Sequence, residues 1–254
     1  MITQTGFTWR HSVLLFIVLG SLAWIFSLEP LPQEAAYHEF ADRRAVWGIP
    51  YGLDVLSNLP FLLVGIAGLR FCLRADLGAA GRAWTVVFAG VAFVSAGSAY
   101  YHWSPDNNTL LWDRLPMTIG FMGLVAALAG EYVSERLGAL LLVPAVLLGF
   151  ASVLYWHWAD DLRLYYWVQL VPLLSIAAVM VLFEGRYSHQ WVLIAALAWY
   201  VLAKVAEAYD VALFRNTAET ISGHTIKHLL AATGCYSLLW MLQARKPVGT
   251  AALA

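Results

Sequence analysis

The chain has 254 residues, 61% of them hydrophobic and 12% charged, with a formal net charge of −1 and a mean hydropathy of +0.68. An average soluble domain carries about twice that share of charge, so the composition excludes an ordinary water-soluble domain. The near-zero net charge leaves no electrostatic footprint for nucleic acid.

The apolar residues gather in eight blocks, at roughly 12–28, 55–73, 84–102, 112–130, 137–156, 163–183, 190–210 and 222–242. A bilayer-crossing helix needs about 20 such residues, so an all-α integral membrane protein is expected. Arg10 and His11 precede the first block, which passes a small-x-small sequence, Ser21-Leu22-Ala23, of the kind found at signal-peptide cleavage sites. The run stays apolar through Trp24, Ile25 and Phe26, which favours a retained helix. Residues 1–30 are thus an N-terminal hydrophobic helix, anchor or signal-like. Residues 31–54 form a polar outer loop holding Glu34, His38, Glu39, Asp42, Arg43, Arg44 and Asp54, residues 55–246 a core of seven helices, and residues 247–254 a tail. Short connections make consecutive helices antiparallel neighbours in one bundle. Cys72 and Cys235 lie inside apolar blocks and read as small buried side chains.

Counting crossings places Arg10, Arg70, Arg74, Arg82, Arg136, Arg186, Arg245 and Lys246 on the side of the N-terminus, and Arg43, Arg44, Arg114, Arg163 and Arg215 on the other. The positive-inside rule then puts both termini inside and the 31–54 loop outside, in a plasma or inner membrane.

The same count brings four ionisable residues to one depth, towards the outer face. The third block ends at His102, the fourth begins near Asp113, and the eighth opens with His224 and His228. Ionisable groups at membrane depth are costly and usually functional. His224 and His228 are four apart and so share a helix face, as do Ser98 and His102. A lone histidine pair at this spacing is more often structural than metal-binding. A lone His102 reads as an interfacial residue, Asp113 as a helix N-terminal carboxylate, and Ser98, within the run Ser95 to Ala99, as a packing position. Together, three imidazoles without a fourth protein ligand fit a zinc ion that keeps one position open for water. Asp113 is placed to accept the water proton, and Ser98 to donate to a developing oxyanion. The chemistry expected is hydrolysis of an acyl bond beside the membrane. Two further readings stay open: a receptor or lipid sensor whose zinc is structural, and a transporter using Lys204 and Glu207, although that pair reads first as a structural ion pair. His157, Asp160 and Asp161 are expected at the interface. Asn58 reads as a hydrogen-bonding partner of the site or of a neighbouring helix, and His11, His38 and His189 receive no role.

The constellation Ser98-x-x-x-His102, Asp113 and His224-x-x-x-His228 resembles that of the alkaline ceramidases, part of a superfamily of seven-helix membrane hydrolases that includes the adiponectin receptors. The run DVLSNLPFLLVG at 54–65 is similar to the start of the first family helix, and the resemblance covers about residues 40–242. It implies a seven-helix bundle to which the first block is an N-terminal addition. It also implies zinc on His102, His224 and His228, Ser98 and Asp113 as catalytic residues, and a ceramide-like membrane lipid cleaved at its amide to a fatty acid and a sphingoid base. Animal members carry calcium (Ca2+) before and at the start of their first core helix. Here Glu39, Asp42 and Asp54 occupy that region, but Tyr51 stands where an acidic ligand belongs, which argues against calcium; Asp42, Arg43 and Arg44 are expected as a solvated, paired loop segment.

Overall fold

The computed structural model describes residues 8–248; the expected tail at 247–254 lies outside them from residue 249 onwards. Among the described residues the chain is helical throughout, without a β-strand. Ten α-helices follow in order: α1 (Trp9–Phe26), α2 (Gly52–Leu56), α3 (Leu59–Cys72), α4 (Gly81–Trp103), α5 (Asn107–Leu128), α6 (Glu135–Ala159), α7 (Arg163–Leu182), α8 (Val192–Ala208), α9 (Asp210–Asn216) and α10 (Gly223–Ala244).

Six segments are long and apolar enough to cross a membrane: α1, α2 with α3, α4, α5, α6 and α7. The pair α8 and α9 makes a seventh if its two helices, bent by 80°, form one broken span. The eighth block is the exception. Helix α10 is 22 residues long, but His224, Lys227 and His228 in its first two turns dilute its apolar character. The protein is a multi-pass helical membrane protein.

Helices α3, α4, α5, α7, α8 and α10 pack round a common centre, with α6 against α5 and α1 laid on α7 from outside. Ser21 of α1 accepts a hydrogen bond from Trp167 Nε1 at 3.1 Å. Buried Trp84, Phe88, Leu128, Leu193 and Leu242 fill the half of the bundle away from the histidines. Without water in the bilayer, such cores depend on close van der Waals contact, which small residues permit. Gly97 is one such case: a Cβ there would lie 2.1 Å from the Trp112 carbonyl oxygen. The small-residue run around Ser98 therefore seats α4 directly on the first turns of α5.

Two expectations about the site end are refined. The seventh block does not run straight to residue 210. It breaks at Tyr209, because Asp210 accepts backbone N–H groups from both Ala41 (2.9 Å) and His224 (2.7 Å). Gly223 admits this junction, since a Cβ on it would come within 2.2 Å of the Ala206 carbonyl. Second, the 31–54 loop is not a free outer segment. It folds over the bundle, with a 3-10 turn at Ala35–His38. Asp160 adopts a left-handed conformation at φ 50°, which aspartate tolerates better than most residues, and takes the Gln33 N–H at 2.9 Å. Asp161 accepts from Leu31 N, from Tyr155 and from Arg163, while Arg163 reaches the Leu28 carbonyl at 2.7 Å. Asp160 and Asp161 thus tie the loop down. Asp42 is paired with Arg44 at 2.7 Å as expected, yet it is buried rather than solvated, while Arg43 and Arg44 are exposed. Burial pushes the Asp42 carboxyl up, but the hydrogen bonds from the Arg44 side chain and backbone outweigh it and hold the group below its ordinary range.

Candidate metal centre

Three helix termini meet where the sequence brings its histidines to one depth. Asp106 caps α5 by accepting the Thr109 N–H at 2.7 Å, and Asp113 follows two turns in. Ser222 caps α10 in the same way, at 2.9 Å from Thr225 N, so that His224 lies in the first turn and His228 one turn deeper. His102 comes from the last turn of α4.

All three imidazoles are buried, and one ring nitrogen of each lies within 4.8 Å of the other two. They are the only group of three or more metal-ligating side chains brought together among the described residues. His102 Nε2 and His224 Nε2 are 3.2 Å apart. Two nitrogens sharing a tetrahedral zinc at 2.0–2.1 Å each stand about 3.3 Å apart, so the spacing fits a shared ion. Two neutral imidazole lone pairs facing each other at this distance in a dry site repel unless a cation or proton lies between them.

His228 is oriented from behind. Its Nδ1 is 2.7 Å from Ser57 Oγ, and Ser57 donates its own proton to the Asp54 carbonyl at 3.0 Å. The serine oxygen therefore accepts from Nδ1–H, which leaves the Nε2 lone pair facing the triad. Outer partners of this kind fix the tautomer of metal-binding histidines. Asp54 itself is fully buried and receives hydroxyl groups from Thr225 and Ser222. Phe40, brought in by the 31–54 loop, packs against both rings, its centroid 4.7 Å from that of His102 and 4.5 Å from that of His224. It seals the triad on the loop side.

Ser98 and Asp113 are buried with the triad, the serine hydroxyl beside the carboxyl group. Both line a cavity of about 180 Å³ that also reaches His228. Apart from Lys227 and Tyr200 its remaining walls are apolar, from Val91 and Met117 down to Phe121, Ile176, Leu197 and Leu238 in the bundle centre. The triad is thus covered from the loop side, and His228 borders a largely apolar interior.

The other sequence candidates are placed as follows. Lys204 pairs with Glu207, as expected, but Glu207 also pairs with Lys227. Lys227 lines the same cavity, with Nζ 3.4 Å from His224 Nε2. A search for metal ligands passes over lysine, although an intramembrane lysine three residues after His224 is its own signal. Asn58 donates to the Asp54 carbonyl one turn back, so it braces α2 rather than reaching another helix. His38 bonds Tyr101 and Asn107 and fixes the loop. Glu39 is exposed, Asp42 is closed by Arg44, and Asp54 turns inward, so these acids do not converge on one point. Ser57 and Asp210 have no motif to announce them. No protein-family model and no curated protein matches the chain.

Proposed function

We propose that this protein is a zinc-dependent membrane amidase that cleaves a ceramide-like N-acyl lipid, built as a seven-helix core ending in α10 and preceded by α1, with the site towards the outer face. The observation that carries the reading is the buried histidine triad whose His228, together with Ser98 and Asp113, lines a largely apolar cavity. At about 180 Å³ the cavity takes roughly six water-sized groups, enough for a short stretch of acyl chain. Acyl-bond hydrolysis follows from the residues; the amide and the sphingoid headgroup follow from the family resemblance.

His102, His224 and His228 would hold the zinc, which when bound polarises a carbonyl and acidifies water. Asp113 accepts a proton from the attacking water as its oxygen bonds to the carbonyl carbon. Ser98 donates to the carbonyl oxygen while negative charge gathers there. The C–N bond then breaks, Asp113 returns the proton to the departing nitrogen, and a fatty acid and an amine result. Phe40 and the outer loop keep bulk water away from the centre. The lipid enters sideways, acyl chain first.

The test is metal analysis of the purified protein together with cleavage of a fluorescent ceramide in detergent micelles, before and after treatment with a chelator. About one zinc per chain and chelator-sensitive release of fatty acid are expected. Full activity in metal-free protein overturns the proposal.

A further inference from the structure

The lysine beside the triad has no part in the chemistry above, and a ceramide headgroup offers it nothing. Lys227 is largely buried, lines the cavity wall next to His228, and holds its ammonium 3.4 Å from His224 Nε2. Its one acidic partner is Glu207, whose second oxygen is taken by Lys204. One carboxylate shared between two ammonium groups leaves a positive charge over. Asp113 is the acid on the cavity wall; it makes no ion pair with Lys227 and serves there as the base of the hydrolysis. Asp54 and Asp210 do not line the cavity: Asp54 Oδ1 takes the Ser222 and Thr225 hydroxyl groups, and Asp210 takes the backbone amides of Ala41 and His224. A second buried cation adds to the imbalance. Arg114, 2% exposed, has Gln33 and the rings of Tyr37, Trp156 and Tyr165 as partners, and no carboxylate. A buried excess charge is costly unless a counter-ion joins it.

We propose that Lys227 binds a substrate carboxylate, and that the lipid taken by this site is an N-acyl amino acid. The assignment rests on the amidase reading and puts an amino acid in place of its sphingoid headgroup. In an N-acyl amino acid the carboxylate carbon is three bonds from the scissile carbonyl carbon, at most about 4.3 Å along the chain. A lipid with its carbonyl at the triad therefore carries its carboxylate to the neighbourhood of an ammonium that already touches His224. The acyl chain lies along the apolar cavity, and Glu207 holds the ammonium in place while Lys204 shares its charge. Hydrolysis adds one water across the C–N bond and gives a fatty acid and a free amino acid, whose amine takes up the proton. Neutral N-acyl lipids of the same chain length lose this ionic contact and bind less well.

The experiment uses the full-length protein in detergent and three probes: N-dodecanoylglycine, its methyl ester and dodecanoic acid. Binding is measured by calorimetry on the protein as purified and again after chelation, so that a carboxylate held by metal is told apart from one held by Lys227. The wild type is expected to bind the glycine conjugate at least ten-fold more tightly than the ester in both states. Lys227→Met should abolish that ratio and Lys227→Arg should retain it, with thermal unfolding confirming that both variants fold. Equal binding of acid and ester, or a ratio unchanged in Lys227→Met, overturns the proposal. So does tighter binding of dodecanoic acid than of the conjugate, which would make the ammonium a holder of product. Turnover separates the two proposals. If ceramide is cleaved and the conjugate is neither bound nor cleaved, the amidase reading stands and the role of Lys227 falls. If the conjugate shows the binding ratio and no amide is cleaved, Lys227 keeps its carboxylate and the amidase reading falls.

Discussion

The bundle holds two buried polar clusters, one at each end, and they are built on opposite terms. Away from the histidines, Glu131 lies in a π-helical turn, Ala129–Val133, and meets Arg245, which follows α10, at 2.8 Å; the two side chains are 6% and 5% exposed. Trp84 Nε1 donates to the same carboxylate at 2.7 Å, and the Arg245 guanidinium lies 4.1 Å over the Tyr187 ring. One acid faces one base, and their partners come from α4, the turn after α5 and the end of α10. At the site end, two lysines share one glutamate, three imidazoles face each other, and a cavity opens alongside. A balanced buried pair holds helices together. An unbalanced cluster is half of an interaction, and its other half is a ligand.

Breaking each cluster in turn tests the contrast, and the widest difference comes first. His224→Ala is expected to bring zinc content close to none and lipid hydrolysis to background, with thermal unfolding in detergent little changed. Arg245→Met should do the reverse. It strands the Glu131 charge, costing about 3–5 kcal/mol of stability, while zinc content and activity per folded molecule hold. If His224→Ala unfolds the protein, or Arg245→Met loses its zinc while still folded, the two ends do not differ as described.

Within the site end, ligands separate from chemistry. Asp113→Asn retains the shape of the residue and removes its basicity. Zinc content should remain near one per chain while turnover falls by about 10²–10⁴, the usual share of a general acid–base. A variant with wild-type turnover removes Asp113 from the mechanism. Ser57→Ala is a smaller change, one step behind the ligands. It takes from His228 the acceptor that fixes its tautomer, and such outer partners are worth about 10–100-fold in metal affinity. Competition with a chromogenic chelator reads that loss, and an unchanged affinity would show Ser57 to be packing alone.

These residues also mark how far the sequence could be read. Spacing and side-counting placed Ser98, His102, Asp113, His224 and His228 together, because helical period and membrane depth fix position along a rod. Neither measure describes what a side chain meets across the bundle. Ser57 lies in an apolar stretch and its role depends on which of its faces meets α10. Asp210 looks like the end of a long helix until the 80° break shows it tying Ala41 to His224. The outer loop has the composition of a solvated connection. Its folding over the triad depends on Asp160, Asp161 and Arg163, more than a hundred residues away, and on the packing of Phe40 against the His102 and His224 rings. Lys227 was visible as a lysine at membrane depth. Its meaning came from Glu207 being shared, which is a fact of tertiary contact.

The mildest perturbation acts on that loop and leaves both clusters intact. Burial pushes the Asp161 carboxyl up, but hydrogen bonds from the Arg163 side chain and backbone, from Tyr155 and from Leu31 N–H outweigh it and hold the group down at about 2. An unfolded aspartate titrates near 3.9. A carboxyl depressed in the folded state lends stability that is fully present above the unfolded value and is lost as pH falls through the folded one. The loop's hold on the bundle should therefore be constant from neutral pH to about 5 and weaken between about 4 and 2. Amide hydrogen exchange of residues 29–44, corrected for its intrinsic pH dependence, should accelerate several-fold across that window. Asp161→Asn, which keeps the side-chain shape and loses the charge that binds Arg163, should show the faster exchange already at pH 7. Zinc content should change little, because all three ligands sit on helices and Phe40 covers the triad without binding its metal. Flat exchange across the window in the wild type would place the hold of the loop elsewhere, in the His38 contacts with Tyr101 and Asn107 and in the Ala41 contact with Asp210. The two hinges of the cover would then be the helix start that carries His224 and the helix end that carries His102.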